Sequence, residues 1–317
     1  MGRDKPEQPK GKSIPQFKRI LVTVDGSENS EEASRVAVDL AEKCKSELAV
    51  LHVVRRVSHA FVPVQSTVLF REYYSDEEKA AMKWIQKFVS LARSRRIEAR
   101  AVVLVASSVA EKIVRFAERK AFDLIVIGTR GLEGFKKLRL GSVSSGVVEH
   151  ADCSVLVVRS ASEARRMFAR ILVAVDGSEN AERAAQAATH LAKRYGSELV
   201  VLHVIARPSY VNVPVFPSMG QPPPTSYSED YEYAKRVAKG HIDGIVSQAR
   251  NQGVNVRWEI REAVPSTVKG ITECAETENA DLVVVGTRGL EGFRKLLIGS
   301  VSSGVIAHAH CPVLVVR

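Results

Sequence analysis

Short apolar runs alternate along the chain with longer stretches in which apolar residues recur every three or four positions. Ile20–Val24 is a β-branched run. From Asn29 to Lys45 the apolar positions are Ala33, Val36, Ala37, Leu40, Ala41 and Cys44. That spacing predicts a helix with one buried face. Leu48–Val54 is a second strand-like run. Ser75-Asp-Glu-Glu78 has the pattern of a capping box and predicts a helix start, followed by inward Ala81, Trp84, Ile85, Phe88 and Ala92. Ile97–Val105 predicts a third strand. Ser108-x-x-Glu111 opens a helix over Val109–Lys120, and Asp123–Ile127 and Cys153–Val158 flank a helix over Ser142–His150. Short apolar strands alternating with helices imply right-handed βαβ units, hence parallel sheets covered on both faces.

The pattern then repeats. Arg19-Ile-Leu-Val22 and Val24-Asp-Gly-Ser-Glu-Asn29 return as Arg170–Val173 and Val175–Asn180, displaced by 151 residues. Val50-Leu-His-Val53 returns as Val201–Val204 at the same displacement. Gly128–Val148 matches Gly286–Ile306 without gaps, 17 of 21 positions being identical, and here the displacement is 158. The second copy therefore carries extra residues, placed in the proline-rich Arg207–Ser228. The period is too long for a solenoid repeat and suits two whole domains. The expected division is a basic, disordered tail over 1–16, a first domain over 17–160 and a second over 168–317, with one parallel sheet in each.

Composition narrows the picture only slightly. With 45% hydrophobic and 26% charged residues the chain is of ordinary globular type. The net charge of +10 suggests an anionic partner. Residues 1–163 hold 28 basic and 21 acidic side chains and 164–317 hold 18 and 15, with no dense basic stripe. Nucleic acid is therefore not expected as a partner. No apolar stretch is long enough for a membrane helix, and the polar N-terminus lacks the apolar core of a secretory signal. Cys44, Cys153, Cys274 and Cys311 form no C-x-x-C pair, which suits reduced thiols in a cytoplasmic protein.

Candidate chemistry falls at the carboxyl ends of the predicted strands, where open α/β sheets hold their ligands. Gly128-Thr-Arg-Gly131 is followed after nine residues by Gly141-Ser142, which opens a predicted helix; Gly286, Gly289, Gly299 and Ser300 match them. Glycine permits close backbone approach, and a helix N-terminus offers free N–H groups and partial positive charge, so the motif suits phosphate. Ser142 and Ser144 add hydroxyl donors. It is neither a Walker A loop nor a dinucleotide fingerprint. A glycine-rich turn with a helix cap remains the competing reading. Asp25 and Asp176 follow the first strand of each copy and could accept from ribose hydroxyls or an amine; taken alone, they suit a turn or N-cap better. His52-Val53 and His203-Val204 end the second strands. The histidines read foremost as satisfied strand-end residues, while the backbone there could meet an adenine edge. Arg130 and Arg288 suit phosphate or solvent equally.

On these motifs the chain resembles a tandem universal stress protein, two domains of the UspA type fused, from Lys18 to Arg317. The family's ATP-binding members carry G-2x-G-9x-G-[ST], which both copies match. The resemblance implies a flavodoxin-like, Rossmann-like fold in each half, a five-stranded parallel sheet of order 3-2-1-4-5 with helices on both faces. It implies that Asp25 and Asp176 lie at an adenosine, with Val53 and Val204 reading adenine through their backbones. Gly128, Gly131, Gly286 and Gly289 would meet ribose and phosphate. Gly141, Ser142 and Val143, with Gly299, Ser300 and Val301, would hold the triphosphate. Some members have proline where Thr23 and Ala174 stand, two residues before the aspartate, so the adenine edge departs from the family there. The implied cofactor is ATP or another adenine nucleotide, with magnesium carried on the phosphates.

The resemblance also implies pairing through the last strands, here within one chain, Cys153–Arg159 against Cys311–Arg317. Homodimerisation and an unknown protein partner stay open. No base or orienting group accompanies Ser142, and no second carboxylate accompanies Asp25. The expectation is a nucleotide-dependent stress or signalling protein without catalysis, or at most a slow ATPase. The alternative is an interaction scaffold in which nucleotide is lost or secondary.

Overall fold

The computed structural model describes residues 16–56, 67–129, 140–159, 167–206, 227–263, 266–287 and 298–317. Residues 1–15 of the basic tail, most of the interdomain linker and most of the proline-rich insertion lie outside these residues. So do Arg130, Gly131, Arg288 and Gly289.

The first half runs β1 (Arg19–Thr23), α1 (Glu28–Cys44), β2 (Glu47–Arg55), α2 (Thr67–Ser94), β3 (Ala99–Ala106), α3 (Val109–Arg119), β4 (Leu124–Gly128), α4 (Ser142–His150) and β5 (Ser154–Val158). The second half repeats this as β6 (Arg170–Val175), α5 (Glu179–Tyr195), β7 (Glu198–Ala206), α6 (Tyr227–Asn251), β8 (Asn255–Ala263), α7 (Thr267–Thr277), β9 (Leu282–Gly286), α8 (Ser300–His308) and β10 (Val313–Val316).

Each half is a parallel sheet of order 3-2-1-4-5. The two do not remain separate sheets. β5 and β10 pair antiparallel, Leu156 opposite Leu314, and fuse them into one ten-stranded sheet. This intramolecular pairing of last strands is the one the resemblance implied. It leaves neither β5 nor β10 as an open edge.

Both faces of the sheet are covered, which is why its central strands read as unbroken apolar runs. Ile20 and Val22 join a core with α1, α2, α5 and α6, while Leu21 between them joins a second core under α3, α4, α7 and α8. Both cores continue across the fused strands: Leu156 and Leu314 lie in one, Val155, Val157, Val313 and Val315 in the other. Above the seam, the Tyr195 hydroxyl donates to Asp39 Oδ2 at 2.7 Å, linking α5 to α1.

Local signals mostly place the helices. Ser27 caps α1, its Oγ accepting from the Ser30 N–H, and Lys45 ends the helix in the left-handed region at φ 58°. Ser108 Oγ accepts from the Glu111 N–H as its capping box predicts. One start is corrected: α2 begins at Thr67, so Ser75 is inside it rather than at its cap. Residues 67–74 contain no glycine or proline, and nothing in their backbone chemistry halts the helix at Ser75.

Candidate functional site

At the carboxyl ends of β1, β2 and β4 a cavity of 470 Å³ opens in the first half. Its volume is in the range of ligand pockets, about 300–1,000 Å³. Three structural features shape it.

The first is an unpaired stretch of β2. β1 ends at Thr23, opposite Leu51, and β2 continues to Arg55. The Leu51 carbonyl still accepts from the Val24 N–H at 2.9 Å. Backbone direction alternates with period two, so the N–H and C=O of Val53 face the same side, where β1 has ended.

The second is the start of α4. Gly141 is its N-cap in extended conformation and supplies no side-chain cap. The first intrahelical bond runs from the Ser145 N–H to the Gly141 carbonyl at 2.8 Å. The amides of Ser142, Val143 and Ser144 therefore have no partner within the helix. Ser142 is exposed. Ser144 is not the free donor that was expected: it is buried and its hydroxyl donates to the Gly128 carbonyl at 2.7 Å. The Gly141 N–H donates to the Thr129 carbonyl at 2.8 Å, tying the start of α4 to the end of β4.

The third is the turn after β1. Gly26 has φ 82°, and a Cβ there would lie 2.5 Å from the Trp84 ring. Asp25 Oδ1 accepts from the Ser27 N–H at 3.0 Å and from its hydroxyl at 2.6 Å. The turn reading of Asp25 thus holds for one carboxylate oxygen, while the residue also lines the cavity. His52 likewise has a structural task. Its Nδ1 donates to the Val24 carbonyl at 2.6 Å and its ring meets Trp84 edge-on at 5.5 Å.

Of the expected site residues in the first half, Thr23, Asp25, Val53, Gly128, Gly141, Ser142 and Val143 line this one cavity. Arg130 and Gly131 fall outside the described residues. Gly128 has a packing reason independent of any ligand: a Cβ would stand 2.8 Å from the Asn29 backbone. Sequence reasoning missed Arg55, Glu77 and Ile113 on the cavity wall and took Trp84 for a core position. Arg55 belongs to no motif and Glu77 is only an unspecified position of the Ser75–Glu78 pattern; their places at the end of β2 and on the turn of α2 above it are set by the fold.

The second half places Ala174, Asp176, Val204, Gly286, Gly299, Ser300 and Val301 on the corresponding elements. The Ser178 N–H donates to Asp176 Oδ1, Ser302 Oγ to the Gly286 carbonyl and the Gly299 N–H to the Thr287 carbonyl. Arg288 and Gly289 are not among the described residues. His203 differs from His52. Its Nδ1 is buried without a hydrogen bond of good geometry. Burial holds its pKa below the usual 6.5; Asp176 and a weak contact with the Val175 carbonyl, the counterpart of Val24, oppose this and His241 adds to it.

All four cysteines are free, and burial raises each thiol, Cys44 to about 11 and the other three to about 12. None is poised as a thiolate nucleophile near neutrality. Among the described residues no cluster of His, Cys, Asp and Glu could hold a metal, and no helix is long and apolar enough to cross a membrane.

The duplicated site invites comparison with known proteins. The pattern of the universal stress protein family matches residues 16–159 and again 167–317. The chain belongs to the universal stress protein family. It is a tandem member, and the match agrees with the flavodoxin-like sheet of each half. A universal stress protein of Mycolicibacterium smegmatis is 31% identical over 303 residues, covering 94% of this chain and 96% of that one. One from Methanocaldococcus jannaschii is 34% identical over 151 residues, covering 48% of this chain and 83% of its own length. The crystal structure of a universal stress protein from Archaeoglobus fulgidus superposes with a TM-score of 0.65 at 23% identity, covering 96% of this chain and 98% of that one. That likeness concerns the fold.

Proposed function

We propose that this universal stress protein is an adenine-nucleotide-responsive protein, with ATP as the leading ligand and the cavity of the first half as its principal site. One observation carries the reading: a single cavity joins an unpaired strand edge at Val53 to three unpaired amides at the start of α4. These two groups suit the two ends of a nucleotide. The Val53 N–H and C=O complement the donor and acceptor pattern of an adenine edge. The amides of Ser142, Val143 and Ser144 and the dipole of α4 favour phosphate. Asp25, between them, suits ribose hydroxyls. Trp84 closes one side, with Val109 and Ile113 opposite. Magnesium, when present, neutralises phosphate charge and keeps several waters, needing few protein ligands. Asp176, Val204, Gly299, Ser300 and Val301 would serve a second site in the same roles.

No residue in the cavity is placed with a base and an orienting group as a nucleophile requires, so the expected role is binding, with hydrolysis slow or absent. Binding stabilises the folded chain by mass action. It would also change the surface around the start of α4, through which a partner could sense occupancy.

Calorimetry with Mg·ATP tests the reading. Gly141 and Gly299 have extended φ and ψ that valine tolerates, so Gly141→Val and Gly299→Val should fold and obstruct only the helix start. Binding to the native chain, lost at the first site in Gly141→Val and at the second in Gly299→Val, is expected. No heat with the native chain, or full affinity in the double variant, would overturn the assignment. Rapid steady-state release of phosphate would overturn the non-catalytic part.

A further inference from the structure

The helix that begins at each candidate phosphate site ends on the other half of the molecule. In α4, the Gly146 carbonyl is met by the helix's own His150 Nδ1 at 2.9 Å and the Val147 carbonyl by the Ala151 N–H at 2.9 Å. The next two carbonyls, Val148 and Glu149, accept from Arg317 Nη2 at 2.7 and 3.2 Å. Arg317 follows β10, in the second half. The reverse contact is its mirror. Arg159, following β5, donates through Nη2 to the carbonyls of Ile306 and Ala307 in α8, both at 2.8 Å.

The strand register dictates this exchange. Val155 opposes Val315 and Val157 opposes Val313, antiparallel. Continuing by two residues brings Arg159 opposite Cys311, just beyond the end of α8. It brings Arg317 opposite Cys153, just beyond the end of α4. Each guanidinium thereby satisfies carbonyls that a helix end leaves without partners, and its charge complements the negative end of the helix dipole. The Arg183 side chain holds the Arg317 backbone oxygen in turn. Position 32, the counterpart of Arg183 in the first half, is Glu32, which is paired with Arg35.

A nine-residue helix is marginal alone. α4 is held at one end by its own half, through Ser144 and Gly141, and at the other by Arg317. We propose that Arg317 and Arg159 are positioning residues exchanged between the halves. Each aligns the helix whose N-terminal amides face the other half's site, so that both sites depend on the domain pair. The link to affinity rests on the nucleotide reading above.

The test uses the full chain. Arg317→Gln is measured with Gly299→Val, which leaves the first site to be read alone, and with Gly141→Val, which leaves the second; Arg159→Gln is treated likewise. Arg317→Gln should weaken Mg·ATP at the first site by about threefold to tenfold and move the second by less than about twofold. Arg159→Gln should do the reverse. Arg317→Lys, which keeps the charge at the helix end, should recover part of the loss and serves if the glutamine variant fails to fold. Affinity that falls at the variant's own half, or equally at both, or at neither, overturns the proposal.

Amide hydrogen exchange gives an arm independent of ligand. Arg317→Gln should speed exchange in 145–150 and spare 303–308, and Arg159→Gln should do the opposite. Uncrossed exchange overturns the positioning role even if nucleotide binds. If the native chain takes up no Mg·ATP, the nucleotide reading falls while exchange still decides the positioning role.

Discussion

The two halves share a fold and a motif, yet differ where the turn after the first strand meets the fourth element. In the first half, Gly26 packs under Trp84, and His52 is bonded to the Val24 carbonyl and touches the same ring. In the second, Gly177 packs under His241, and His203 Nδ1 is buried without a well-formed bond. The helices are otherwise equivalent: Ala81, Ile85 and Ala92 correspond to Ala238, Ile242 and Ala249, all buried. Cavity residues Arg55 and Glu77 have Ala206 and Ala234 as counterparts. On the outer strands, the half-buried Val102 and Leu104 pack against the core, whereas their counterparts Glu259 and Arg261 form an ion pair. Duplication preserved the groups that shape the backbone and let the walls diverge. Two candidate sites with the same helix start are therefore expected to differ in what their other ends can hold.

The strongest way to break this contrast is at the turn glycines. Both have φ 82°, so alanine strains either backbone by about 1 kcal/mol. At Gly26 the new Cβ also meets Trp84 at 2.5 Å, and overpacking adds about 1–3 kcal/mol. His241 is exposed and can move aside. Gly26→Ala should thus lower the urea midpoint clearly more than Gly177→Ala; equal shifts would mean that Trp84 yields as freely as His241.

Truncating the covering side chains comes next. Trp84→Ala removes a ring packed on the core and should cost about 2 kcal/mol. His241→Ala, at an exposed position, should stay within about 0.5 kcal/mol. Trp84 and Trp258 are the chain's two tryptophans. Fluorescence of Trp258→Phe should accordingly still report Mg·ATP, and loss of the signal would remove Trp84 from the site.

The seam is asymmetric as well, since Cys44 stands in the first half where Tyr195 stands in the second. Tyr195→Phe removes the bond to Asp39 and should cost about 1 kcal/mol in a denaturation midpoint.

The smallest expected difference is in pH. Burial lowers the pKa of His203 below 6.5 in the folded chain, and burial does the same to His190 with Arg194 and Lys193 adding to it. The unfolded chain then takes up these protons first, so stability is full above the unfolded value and falls as pH drops through it. His203→Gln should flatten part of the loss in urea midpoint between about pH 7.5 and pH 5.5. An unchanged slope would assign the loss to His190 or to other groups.

Much of this was legible in the chain. The period of the apolar positions identifies the strands and helices, because a strand buried on both faces and an amphipathic helix leave different patterns. Ser108 announces its helix because a cap is a local hydrogen bond. Ser75 has the same pattern and is no cap, because the preceding residues are themselves helix-compatible. Gly128 was read for its motif, but its tight contact is with Asn29, a neighbour that only folding supplies. Arg55 and Glu77 carried no signal, since a cavity wall is assembled from residues distant in sequence.

The sequence alone determined that there are two copies, that each is a parallel α/β sheet, and that each carries glycines at the start of a helix. These follow from local rules of periodicity, backbone freedom and capping. Tertiary structure decided that Ser144 is spent on the Gly128 carbonyl, that Trp84 and His241 occupy equivalent places, and that Arg159 and Arg317 close each other's helices. Those outcomes depend on the antiparallel register of β5 and β10 and on which side chains the crossovers bring within hydrogen-bonding distance. Such contacts join residues from 16 to 169 positions apart, and no local pattern encodes them.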